Sequence, residues 1–159
     1  MDDTVVFRHA NRRDRPFIRS LAVEAFAAYG DYGSLLLDWF ATPGVEATVA
    51  EDEGEAVGLT LVAFVADPQE PGAWVADVLA IAVAAGARRR GLGRRLLGAA
   101  LLRAAEAARR WPIRAVRLSV AEDNAPARAL FEGAGFQYTG HQESFYPRGQ
   151  RALHMRRPL

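Results

Sequence analysis

The chain has neither cysteine nor lysine among its 159 residues. Without cysteine there can be no disulfide, no thiolate metal site and no thiol nucleophile. Without lysine all 20 basic residues are arginine, which codon usage explains without a functional cause, and a P-loop is excluded because it needs its lysine. Neither sign of charge dominates, with 20 basic and 19 acidic residues. The net charge of +1 gives no bulk electrostatic reason to expect a nucleic-acid partner. No uninterrupted apolar stretch reaches membrane-spanning length, since the run from Val78 to Ala87 stops at arginines. Met1-Asp2-Asp3-Thr4 lacks a signal-peptide pattern, so a soluble cytoplasmic protein with no membrane partner is expected. His9, His141 and His154 are scattered without metal-ligand spacing, so no metal is expected. The Gly-x-Ser-x-Gly elbow is missing, and Ser119 and Ser144 have no histidine partner evident in the sequence.

What is present is an ordinary folded composition, half hydrophobic and a quarter charged, predicting one domain over 1–159. Thr4 to Arg8 reads as a strand. Asp14 is the expected N-cap of a helix with Pro16 in its first turn and a buried face of Phe17, Ile18, Leu21, Ala22, Ala25 and Tyr29. Gly30 to Gly33 breaks that pattern, and Leu35 to Phe40 is a short second helix ended by Thr42-Pro43-Gly44. Val45 to Ala50 and Ala56 to Ala66 form a hairpin around an acidic turn, and Trp74 to Ala84 reads as a strand buried on both faces. A helix over 94–110 follows, then a strand through Val116, Leu118 and Val120. Asn124 is predicted to cap a last helix, with Gly135 as its left-handed stop. Phe136 to Glu143 and Arg151 to Arg156 complete an antiparallel pair. The order β-α-α-β-β-β-α-β-α-β-β predicts an α/β (α+β) architecture: a mixed central sheet of about seven strands flanked by about four helices.

The most informative stretch is Arg88-Arg89-Arg90-Gly91-Leu92-Gly93, between an apolar strand and the helix opening at Arg94-Arg95. Free N–H groups in a first helical turn, a positive dipole end and a glycine-rich approach make a cradle for phosphate, with arginines adding cations. A plain surface turn fits the same residues. A Rossmann turn fits less well, because Leu96 stands where its third glycine would be.

Together with Asn124, Ala127, Leu130, Phe131, Gly135 and Phe136, this turn resembles the two motifs of the GNAT superfamily of acetyl-coenzyme A-dependent N-acetyltransferases. Nearly the whole chain shares the resemblance. It implies acetyl-CoA as co-substrate, held at its pyrophosphate by the backbone of Arg88, Arg89, Arg90, Gly91, Leu92, Gly93 and Arg94. It implies that the backbone of Ile81, Ala82 and Val83 holds the pantetheine arm where the fourth and fifth strands splay apart. Asn124 and Phe131 would also face the coenzyme. Many members place a tyrosine at the position of Phe131 as the thiolate acid. Here Tyr146, Tyr138 or a water must serve, or the thiolate leaves unassisted, which its modest basicity allows.

Direct attack of an amine on the thioester is the simplest chemistry for a chain without a covalent nucleophile. An α-amino group with pKa about 7.7–8.0 is roughly a tenth neutral at pH 7, whereas a lysine-like amine gives up about 3.4 units, on the order of 4.6 kcal/mol. Asp77, a carboxylate on an otherwise apolar strand, is the candidate base; a structural ion pair with an arginine is the alternative. Phe145-Tyr146 lies in a segment similar to that of protein N-terminal acetyltransferases, including the bacterial ribosomal-protein alanine enzymes. By that resemblance Tyr29, Asp31, Tyr32 and Phe145 line the acceptor site. The acceptor stays open between a peptide N-terminus and a small-molecule amine, and a homodimer stays open as well. The other class of function is a non-catalytic acyl-CoA-binding module.

Overall fold

Alternating apolar residues become strands here, and apolar residues at three- and four-residue spacing become the helices that cover them. The computed structural model describes residues 3–159. Along the chain come β1 (Val5–His9), a 3-10 turn (Arg12–Asp14), α1 (Arg15–Phe26), α2 (Gly33–Ala41), β2 (Glu46–Asp52), β3 (Glu55–Ala66) and β4 (Trp74–Val83). Then follow α3 (Leu92–Ala108), β5 (Ile113–Ala121), α4 (Ala125–Gly133), β6 (Gln137–Gln142) and β7 (Ala152–Pro158). The strands form one sheet in the order β1-β2-β3-β4-β5-β7-β6. Only β4 and β5 run parallel, and α3 is the crossover that such a pair requires.

The helices divide between the two faces. Ile18, Leu21 and Leu36 from α1 and α2 pack on Val49, Leu59, Leu61, Ala80 and Ala82. On the other face Leu97, Ala100 and Ala104 of α3 and Phe131 of α4 cover Val62, Ala76, Val78, Val116 and Leu118. One irregularity organises this division. Val62 pairs with Val78 but Leu61 pairs with Ala80, so Leu79 is an extra residue in β4. A bulge of this kind reverses which side chains face which layer. Ala76 and Val78 therefore point toward α3, while Ala80 and Ala82 point toward α1.

Several sequence expectations shift. Asp14 precedes α1 but its side chain makes no cap bond there. Asn11 caps the 3-10 turn, and the buried Asp14 carboxylate accepts two bonds from Arg8 and one from the Asn11 N–H. A charged partner within reach outcompetes a helix N–H. Arg8 holds the Asp14 carboxyl below the usual carboxylate range. Tyr29 does not continue the helical core face, because α1 ends at Phe26. α3 begins at Leu92, two residues earlier than the pattern suggested, and stops at Ala108. β4 is not buried throughout: Trp74 is 43% exposed. Among the described residues no helix is long and apolar enough to cross a membrane.

Candidate active site

The bulge at Leu79 has a second effect. β4 pairs with β5 only as far as Val78 and Leu118, whereas it continues to pair with β3 as far as Val83. Beyond that point a wedge opens between β4 and β5. Ala84 N–H donates to Val57 O of β3 at 2.8 Å. Backbone groups alternate along a strand, so those of Ile81 and Val83 face the opposite way, into the wedge. Arg88 Nε donating to Val83 O at 3.2 Å has the same orientation.

At the end of β4 the chain turns through the arginine triplet into α3. Arg89 and Gly91 both adopt left-handed backbone, at φ 66 and 73. Left-handed residues set among others turn successive N–H groups toward one concavity, a nest that suits an anion. Gly91 is the N-cap and has no side chain to cap with. The first helical bond runs from Arg95 N–H to Gly91 O, so the N–H groups of Leu92, Gly93 and Arg94 have no helical acceptor. The arginines are less free than the sequence suggested. Arg90 pairs with Asp52 at 2.7 Å, and Arg88 is turned back on Val83. The cradle is built chiefly of backbone.

On the face shared with α1 and α2, the strands β5, β7 and β6 carry no helix. A cavity of 390 Å³ occupies this space. Its floor is a set of polar side chains: Asp77 from β4, Arg117 and Ser119 from β5, and His154 and Arg156 from β7, with Phe145 above them. Asp77 accepts a bond from Arg117 at 3.2 Å. Burial pushes the Asp77 carboxyl above its ordinary value, while Arg117 and the nearby His154 oppose the shift. Arg156 stands directly across from Arg117 in the β5–β7 register. It is held there by a two-pronged pair with the fully buried Asp67, at 2.7 and 3.1 Å, and this pair holds Asp67 below the usual carboxylate range.

An aromatic wall joins the loop after α1 to the loop between β6 and β7. The rings of Tyr29 and Tyr146 lie 5.0 Å apart, and Phe145 meets Tyr146 at 4.9 Å and His154 at 5.9 Å. Tyr29 donates to Asp123 at the end of β5, at 3.2 Å. Arg148 N–H donates to Tyr29 O and Gln150 Nε2 to Ala28 O, which fastens the two loops together. Burial and the nearby Tyr32, Tyr29 and Asp123 raise the Tyr146 phenol well above its ordinary value, so it remains a donor. Tyr32 is raised by burial too, and its ring packs on Phe26. Asp31 is exposed and accepts from Gly33 N–H at the start of α2.

The other expected residues fall as follows. Asn124 caps α4 by accepting from Ala127 N–H at 3.2 Å. Phe131 is 4% exposed and packs edge-on against Phe136 in the core, which leaves it little surface for a ligand. Tyr138 bonds Arg128 and Glu132 of α4, on the face away from Asp77, and so leaves the set of thiolate acids. One pair was missed. Ser119 does have a histidine partner, since its Oγ lies 2.8 Å from His154 Nδ1. The residues are 35 apart in sequence, and only the β5–β7 register sets them side by side. No local signal announces them.

Residues 9–136 match the model of the acetyltransferase (GNAT) family. The chain belongs to that family: it is an acetyltransferase that moves an acetyl group from acetyl-CoA to an amine. A comparison with curated protein sequences gave no significant match. Among solved structures, the chain is similar to Arabidopsis thaliana NAA60 in complex with a bisubstrate analogue, at 17% identity and a TM-score of 0.85 over 98% of this chain and 99% of that one. It is similar to Ard1 from Thermoplasma volcanium at 23% identity and 0.81, over 99% of each chain. Ribosomal-protein-alanine N-acetyltransferase from Brucella melitensis follows at 22% and 0.80, over 97% and 99%. At these identities the likeness is one of fold.

Proposed function

We propose that this acetyltransferase acts on the α-amino group of a peptide or protein N-terminus, by direct transfer within a single domain in the cytoplasm. The observation that carries this reading is the aromatic wall of Tyr29, Tyr32, Phe145 and Tyr146, fastened across the open end of the β4–β5 wedge beside the cavity of Asp77. Such a wall suits a main chain laid along it, with Tyr hydroxyls as partners for peptide groups. NAA60 with its bisubstrate analogue and the NatC complex bound to Gag peptide and CoA share the fold and support the same reading.

The residues present fit the coenzyme. The unbonded N–H groups of Leu92, Gly93 and Arg94 with the Arg89–Gly91 nest would hold a pyrophosphate. The wedge-facing groups of Ile81 and Val83 would hold the pantetheine amides and polarise the acetyl carbonyl. When bound, the coenzyme supplies a thioester whose carbonyl carbon an amine can attack. The α-ammonium would first give one proton to a base; the neutral amine would then attack, its new C–N bond replacing the C–S bond, and the one further proton lost from nitrogen would end on sulfur. Asp77 is the proposed base, acting directly or across one water. Arg117 keeps it ionised, and burial raises its proton affinity toward what a base needs. Tyr146 is proposed on the leaving side, where its phenol stays protonated and steadies the sulfur by a hydrogen bond.

A peptide and small-amine panel with acetyl-CoA tests this, following thiol release and the mass of the product. Because the chain has no lysine, side-chain autoacetylation adds no background. Free N-terminal peptides should be acetylated and blocked ones not. Turnover of small amines alone would overturn the peptide reading, and tight coenzyme binding with no turnover would leave the binding-module reading. Asp77→Asn should lower kcat/KM about 100-fold near pH 6.5. The deficit should close as pH rises past about 8, where the α-amine is neutral without help. A deficit independent of pH would remove Asp77 as the base.

A further inference from the structure

We propose that Ser119 receives the acceptor's amine, and that His154 sets which way the Ser119 hydroxyl points. The inference rests on the peptide-acceptor reading and deepens it. Ser119 is the first residue of β5 beyond Leu118, where pairing with β4 ends, so it stands at the mouth of the wedge. It is exposed on the cavity floor although it lies on an interior strand. Its Oγ lies 2.8 Å from His154 Nδ1, and Phe145 holds the imidazole edge-on at 5.9 Å. The charged and titratable groups facing that ring are Asp77 of β4, Arg117 of β5 and Arg156 of β7, with Tyr146 in the loop above and Asp67 behind Arg156.

A serine hydroxyl has one proton and two acceptor lone pairs. While Nδ1 is unprotonated it takes that proton, and both lone pairs of Oγ are free to accept from an N–H of the acceptor. An amine held by its N–H keeps its own lone pair free for the thioester carbonyl. With a proton on Nδ1 the roles reverse. Nδ1–H then donates to Oγ, and the hydroxyl proton turns outward to compete for the nitrogen lone pair. Ser119 is thus an acceptor-contacting residue, and His154 is a positioning residue acting through it.

The test uses full-length protein with acetyl-CoA and a peptide that the wild type acetylates. Ser119→Ala should raise the peptide KM about tenfold, the loss of one hydrogen bond, with coenzyme affinity unchanged. His154→Phe should do the same. His154→Asn supplies an amide oxygen that can accept the Ser119 proton. It should recover most of what His154→Phe loses. Kinetics of Ser119→Ala equal to wild type would overturn the proposal, as would a His154→Asn variant with a peptide KM no better than that of His154→Phe. An acetyl group trapped on Ser119 would also overturn it, in favour of a nucleophilic serine. If the wild type acetylates no peptide at all, the peptide reading fails instead.

Discussion

Arg89 holds a left-handed backbone that costs a residue with a β-carbon about 1–3 kcal/mol. Strain of that size persists only where surrounding structure over-determines it, and here it falls in the turn proposed to hold the coenzyme. Gly91, two residues on, takes the same conformation without the cost. Nothing lies within 4 Å of where a Gly91 β-carbon would sit, so a larger residue there meets open space, not the core. Gly91→Val should therefore leave the fold standing. It strains the turn by about 1–2 kcal/mol and places a branched side chain where phosphate must approach. Coenzyme Kd should rise by about tenfold or more, read by titration calorimetry beside an unchanged circular dichroism spectrum. Unaltered affinity would sink the cradle. At this scale the glycines and arginines were legible in the sequence. Which arginines were committed elsewhere was not, because Asp52 reaches Arg90 only through folding.

The two loops that carry the aromatic wall have no regular structure of their own and hold each other. Gly30 lies at φ 152, and a β-carbon added there would come 2.8 Å from Pro147 Cγ and 2.9 Å from its Cβ. Gly30→Ala should push the β6–β7 loop away and disturb the Tyr29–Tyr146 contact. The expected result is a peptide KM several-fold higher with coenzyme affinity intact, a split that steady-state kinetics with calorimetry resolves. An unchanged KM would show that the wall does not hold the acceptor. β4 makes the same point in the opposite direction. Its apolar run was plain in the sequence, but the bulge at Leu79 was not, since a bulge is a relation between two strands. That one extra residue turns Asp77 and Ala80 to the same face and ends the pairing with β5 at Val78.

Across the whole molecule the sheet has an antiparallel half, β1 to β4, and a half of β5, β7 and β6, joined by a parallel ladder of only five residue pairs. A ligand lodged in the wedge touches both halves and binds the folded state alone. Acetyl-CoA at 100 times its Kd should add about 2.7 kcal/mol, which for this length is roughly 5–10 °C in Tm. A calorimetric scan with and without coenzyme checks it. No shift at saturating coenzyme would mean that the wedge is not its site.

The sequence by itself determined the element order, the arginine-glycine turn before α3 and the family, because hydrophobic period, glycine chemistry and short motifs are local properties of a chain. It also named Asp77, since a carboxylate in an apolar strand stands out without any structure. Only the tertiary structure decided which of those residues meet. The ion pair of Asp77 with Arg117, the Ser119–His154 hydrogen bond and the clasp of Tyr29 on Tyr146 each join residues from separate elements. Strand register and loop docking set those distances, and these follow from packing the whole sheet at once.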